Sequence, residues 1–247
     1  VVFGDASTLS GASTNLSTST VSVTQNIYDH AQGELSSTNL VLSNWIVGYA
    51  GNVSSTNTVT LSNAAGFRVD LSATNDSAGS IASVASLGAG SSTLLGANFT
   101  ATGGEGTGTF SSNVQVTFAD ASTLSGASTN LGTTNITLTG QVYDHAQGSL
   151  ATNVVALSNA IVGYSGTIGT NISLSNAAGF RVDLQTLSAS SATNLSVSDV
   201  TGVAAGTSSS LGLTLATGQG VGAFTNTVAV VFGDASTLSG ASTNLST

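Results

Sequence analysis

Few residues in this chain could do chemistry, and those that could come in repeated sets. Asp29–His30 and Asp144–His145 are its two Asp-His pairs, each inside the hexapeptide YDHAQG at 28–33 and 143–148. A carboxylate that orients an imidazole prepares it for proton transfer. Neighbours on an extended strand point to opposite faces, which sets these pairs badly for that task. No single Ser stands out as a nucleophile in so Ser-rich a chain. The spacing fits a junction motif better, with Tyr28 and Tyr143 packing and each imidazole bonding locally. The expectation is a protein that is not an enzyme.

The chain has two cations, Arg68 and Arg181, and each lies two residues from a carboxylate, Asp70 and Asp183. On a strand the members of each pair share one face, opposite Phe67, Val69 and Leu71 in the first copy. A local ion pair, or a bridge to the next domain, is expected. Asp5, Asp120 and Asp234 each open a loop DASTLSGASTNL. Calcium takes six to eight oxygen ligands, usually several of them carboxylates. One Asp among hydroxyls makes these weak calcium candidates, and turn formation accounts for the same residues. No other cofactor is expected. Trp45 is the sole Trp, and its counterpart is Ala160. A core ring replaced by Ala would leave a cavity costing roughly 3–5 kcal/mol. Trp45 is therefore expected at the periphery or against a neighbour. Asn15, Asn98 and Asn135 open Asn-x-Ser/Thr sequons, which in this composition do not decide glycosylation.

The composition excludes several classes. The 247 residues include no Pro, Cys or Met, only 5% are charged, and the net charge is -9. Two cations give no basic surface for nucleic acid. Without Cys there are no disulfides or thiolate metal sites. Two His cannot build a multi-His centre. No apolar run approaches the roughly 18 residues of a membrane span, and no stretch is patterned as a secretory leader. Beginning at Val1 with no Met anywhere, the sequence reads as a window on a longer or processed protein. Disorder is not expected either, because 40% of residues are hydrophobic and Pro is absent. Val, Ile and Thr favour strands, and Gly, Asn and Ser supply turns.

Repeats organise the elements that must position these groups. Residues 1–18 recur unchanged at 230–247, and at 116–133 with 15 of 18 identical. IVGY occurs at 46–49 and 161–164, and LSNAAGFRVDL at 61–71 and 174–184. A period of about 115 residues exceeds one solenoid coil and matches one β-sandwich. Apolar alternation predicts about seven strands per repeat: Val21 and Val23 with Ile136 and Leu138, Val59 and Leu61 with Ile172 and Leu174, Val114, Val116 and Phe118 with Val228, Val230 and Phe232. The fold class is all-β. Residues 1–30 read as terminal strands of a preceding repeat, 31–145 as one β-sandwich repeat, and 146–247 as a repeat lacking its last strand. The missing strand corresponds to 135–142 of the first copy.

The succession LVLSNWIVGYAG, TVTLSNAAG, FRVDL, GAGSSTLLGANF, GTFSSNVQVTF resembles the Hydin-type immunoglobulin-like repeats of bacterial choice-of-anchor surface proteins, over nearly the whole repeat. The resemblance implies tandem immunoglobulin-like β-sandwiches of about seven strands, on secreted or surface-anchored proteins.

Function is expected to be structural. Sheets ordinarily protect their edges with Lys, Pro and charge, and this chain has almost none. Self-association is expected, with neighbouring repeats or as a homopolymer, in an extracellular filament, sheath or surface coat. Strand 19–28 completing a neighbouring sandwich is one mechanism; covalent continuity of repeats is another. Scarce Lys and Arg, with no Met or Cys, suit persistence outside the cell. The alternatives are a large adhesin whose repeats form a stalk or bind ice or sugar, such as a surface polysaccharide, and a β-solenoid autotransporter passenger.

Overall fold

A computed structural model describes residues 1–76, 80–189 and 194–245, with only the backbone of 188 and 189. Its regular elements are all strands. No helix among the described residues is long and apolar enough to cross a membrane.

A short hairpin comes first, β1 (Val2–Phe3) with β2 (Ser17–Thr18). There follow β3 (Gly33–Leu35), β4 (Asn39–Val41), β5 (Trp45–Ile46), β6 (Ala50–Ser54), β7 (Val59–Asn63) and β8 (Leu71–Asn75). Then come β9 (Val84–Leu87), β10 (Ser92–Leu95), β11 (Asn98–Thr102), β12 (Gly108–Asp120) and β13 (Gly132–Tyr143). One sheet runs β4-β13-β12-β8-β9, with β5 also on β13; others are β10-β7-β3 and β11-β6. The long β12–β13 hairpin is antiparallel, and β4 and β5 join β13 in parallel. The later strands are β14 (Gly148–Leu150), β15 (Ile168–Asn176), β16 (Leu184–Ala189), β17 (Leu195–Val197), β18 (Ser208–Leu215) and β19 (Ala229–Asp234). They form sheets β14-β15-β18-β17 and β16-β19.

Period-2 alternation builds two cores. Along β12, Val114, Val116 and Phe118 point inward, and along β13, Ile136, Leu138 and Val142 do. They meet Leu40, Leu42, Leu61 and Leu71 in the first core. The second core gathers Ile172, Leu174, Val182, Leu184, Leu211 and Phe232, and takes Ile46 from the preceding repeat.

Trp45 corrects the expectation of a peripheral ring. It is fully buried in the first core, against Phe99 and Phe110 with ring centroids 6.2 and 5.2 Å away. Gly140 on β13 makes room, since a Cβ there would stand 2.9 Å from the indole Cζ3. Ala160 does not occupy an equivalent core: residues 151–167 form no strand, and Ala160 is exposed.

That difference has one physical source. In the first repeat β13 is the partner of β4, β5 and β12. In the second, no described strand takes that position: β19 pairs with β16 alone. Val154, Ile161, Val162 and Phe224 are exposed. The alternating run at Val21 and Val23 also departs from the sequence reading. It lies outside both cores, in exposed non-strand chain.

Candidate functional site: the repeat junction

The residues singled out from sequence meet at two junctions of the same geometry. In the first, the Asp120 carboxylate accepts the Ala31 N–H at Oδ1 (2.8 Å) and the Ser128 N–H at Oδ2 (2.8 Å). His30 Nδ1 lies 2.6 Å from that Oδ2. A carboxylate only accepts, so His30 donates through its Nδ1–H. In the second junction, Asp234 takes Ala146 N–H (2.8 Å), Ser242 N–H (2.8 Å) and His145 Nδ1 (2.7 Å). Both carboxylates are essentially buried, their side chains 1% and 0% exposed. Each Asp thus clamps the opening of one repeat to the loop that the same Asp begins.

Asp120 ionises more readily than an ordinary carboxyl. Burial taken alone would push it up, but the Ser128 and Ala31 N–H groups, then the His30 hydrogen bond and charge, outweigh that and hold it down.

Sequence neighbours do not pair with each other through their side chains. Asp29 Oδ2 forms an ion pair with Arg68 Nη1 at 3.0 Å, and Asp144 Oδ2 with Arg181 Nη2 at 3.1 Å. Each Arg also donates to the backbone carbonyl of the adjoining His, His30 or His145, at 2.8 Å. In place of the local Arg68–Asp70 pair expected from spacing, Arg68 bridges to the distant Asp29 of the same chain, beside which it lies in a parallel β-bridge. Asp70 instead accepts the Ser86 hydroxyl, and its carbonyl takes Ala121 N–H; the Asp183 carbonyl takes Ala235 N–H. Phe67 and Phe180 do not turn inward with Leu71 and Leu184. Phe67 stacks on Tyr28 at 5.0 Å, and Phe180 lies 5.4 Å from Tyr143.

Gly33 and Gly148 close the hexapeptide for a steric reason. A Cβ at Gly148 would stand 2.7 Å from the Phe232 ring, and one at Gly33 would stand 3.0 Å from Phe118. The loop itself turns at Gly126 and Gly240, both with φ of 93°. L-residues rarely adopt that conformation.

Two buried amides were missed from sequence. Asn63 donates to the Val69 and Leu87 carbonyls (3.1 and 3.0 Å) and accepts Gln32 N–H (3.0 Å). Asn176 repeats the pattern with Val182, Val203 and Gln147, each at 3.0 Å. Their signal was available: an Asn held at an inward register position in both copies of LSNAAGFRVDL.

Chemically, this site fastens one segment of the chain to another. No described Ser hydroxyl is hydrogen-bonded to either imidazole. The oxygens of Asp120 and Asp234 that calcium would require are engaged by N–H donors, and no described cluster of three or more acidic or His side chains is placed to hold a metal. Asp5 keeps only the loop half of the pattern, accepting Ser13 N–H at 2.9 Å.

The two repeats also touch directly. Ile46 N–H donates to the Ser239 carbonyl (2.9 Å), and within the first repeat Val47 N–H donates to that of Tyr143 (2.8 Å). A Cβ on Gly240 would lie 3.3 Å from that of Ile46. Trp45 and Ile46 are successive residues that enter the first and the second core.

No family model matches the chain, and no curated protein does. Among solved structures, it is similar to a protein of unknown function from Porphyromonas gingivalis W83. Identity is 11%, coverage 74% of this chain and 83% of that one, and the TM-score 0.34. It is also similar to the E. coli chaperone DraB, at 14% identity, covering 87% and 96% of the two chains, with a TM-score of 0.30. Likenesses at such TM-scores fix neither topology nor function.

Proposed function

We propose that this chain is a segment of a long repetitive extracellular protein whose tandem immunoglobulin-like sandwiches stack into a filament, sheath or surface coat. In this reading the units are 31–145 and 146–247, with 1–30 belonging to a preceding unit. The units serve mechanically and not as an enzyme, and the partner is the protein itself. The observation that carries the reading is the linker-free junction. Strand β13 lines the first core through Val142, and two residues past its end His145 and Ala146 are clamped by Asp234. With Ile46 seated in the second core, rotation between units is opposed at two points, His145 and Ile46. A flexible linker would oppose it at none.

Electron microscopy of the purified chain, concentrated without additives, tests this. Ordered filaments or sheets of a width matching one unit are expected. Monodisperse particles at every concentration would overturn the reading and favour an adhesin stalk.

A further inference from the structure

We propose that the bare edge of β10 pairs with the β10 edge of a second copy of this chain, joining the two side by side through one continuous sheet. The inference rests on the self-associating reading above and adds a lateral contact to it.

β10 lies at one end of the sheet β10-β7-β3. Thr93 stands opposite Leu61 and Leu95 opposite Val59, and Asn63 N–H donates to the Ser91 carbonyl. Bonded positions alternate along an antiparallel ladder, so Ser91, Thr93 and Leu95 turn their backbone groups to β7. The N–H and C=O of Ser92 and Leu94 face the other way. Among the described residues no strand receives them. Leu95 points into the core, whereas Leu94 is 66% exposed.

This edge is open within a whole unit. β10 belongs to the repeat that holds its closing strand β13, and the repeat that follows leaves it uncovered. The matching residues 208–211 of β18 have β15 as their one strand neighbour among the described residues, with a whole repeat before them. A repeat adjoining on either side thus leaves this edge free.

Other edges of the same unit are guarded. On the free side of β4, Asn57 Oδ1 accepts Val41 N–H (2.7 Å), Asn57 Nδ2 donates to the Asn39 carbonyl (3.3 Å), and Thr56 N–H donates to the Val41 carbonyl (2.6 Å). β3 carries the exposed charge of Glu34. A covering loop and a charge are ordinary means of blocking edge pairing. β10 has neither.

A second copy is the partner that fits. Each chain carries a net charge of -9, so two copies meet with least repulsion where neither bears charge, and neither β10 nor β7 bears any. A two-fold contact sets Leu94 opposite the other copy's Leu94. Each donates its N–H to the other's carbonyl, and the two exposed side chains cover one another. Ser210 stands in place of Leu94 in the second repeat, so the apolar half of the contact belongs to the first.

The chain has no Cys, which permits a direct test. Opposed Leu94 positions stand about 5.5 Å apart at Cα in such a pair, within disulfide reach. The full chain carrying Leu94→Cys, oxidised mildly, should give a linked dimer. Thr100→Cys, exposed on β11, should not. Leu94→Pro removes the outward N–H and spares the ladder to β7. It should raise the dimer dissociation constant in sedimentation velocity about tenfold or more, the effect of two lost hydrogen bonds. Leu94→Lys keeps the N–H but sets like charges opposite each other, and should weaken the dimer similarly with no change in the urea midpoint read by Trp45. A folded Leu94→Cys chain that gives no linked dimer, linkage as ready from Thr100→Cys, or association indifferent to Leu94→Lys would each overturn the proposal. Filaments of the unaltered chain without linkage in Leu94→Cys would leave the stacked array standing and remove this contact. A linked dimer without filaments would uphold the contact and remove the stacked array.

Discussion

Replacing Asp120 by Asn separates the clamp from ordinary turn chemistry. The carboxylate offers two acceptor oxygens to three donors, Ala31 N–H, Ser128 N–H and His30 Nδ1–H. An amide offers one oxygen and presents N–H to the other side. If the oxygen keeps Ala31, the Ser128 N–H meets a donor in a buried site. An unsatisfied buried N–H costs about 1–3 kcal/mol, and losing charge assistance on the remaining bond adds about 1 kcal/mol. The expected loss is about 2–4 kcal/mol. Asp5→Asn changes the same residue of the same loop where water can replace the missing bond, and should cost about 0–1 kcal/mol. Urea unfolding followed by Trp45 fluorescence reads the first core directly, since that sole Trp is buried there. The pH dependence gives a second reading. The carboxyl is held below its unfolded value of about 3.9. Its contribution is therefore complete above about pH 4 and is lost as pH falls through the lower folded value. The Asn variant should lack that acid-side loss. Equal costs for Asp120→Asn and Asp5→Asn, or an unchanged acid limb, would refute the clamp.

Other outcomes follow from the same geometry. Asn63→Ala removes a buried amide with three hydrogen bonds; it should cost about 2–4 kcal/mol and lower the urea midpoint seen by Trp45. Gly140→Ala drives a methyl into the Trp45 ring and should cost about 1–3 kcal/mol. Adding Trp45→Phe should recover part of that loss, a coupling visible in a double-mutant cycle by circular dichroism. Asp29→Ala breaks an exposed ion pair with Arg68 and an exposed hydrogen bond from His30 N–H, and should shift stability by less than about 1 kcal/mol.

The all-β class was legible because alternation at Val114–Phe118 and Ile136–Val142 reports one buried face. The junction was only half legible. Repetition marked His30, Asp120 and Arg68 as a set, but the pairing of His30 with Asp120 spans 90 residues. Spacing cannot reveal a contact of that range. Local reasoning paired Arg68 with Asp70 because both lie on one stretch of chain; the parallel bridge to Asp29 is a tertiary fact. Trp45 misled for a related reason. Comparing it with Ala160 assumed equal surroundings, and the two positions differ by a whole neighbouring strand.

The central claim is that consecutive units are locked end to end without a hinge. Small-angle X-ray scattering from chains of two, four and six tandem copies of residues 31–145 measures it most directly. A constant cross-section is predicted, with a maximum dimension that grows in proportion to copy number. Growth closer to the square root of copy number, as for units on flexible links, would contradict it.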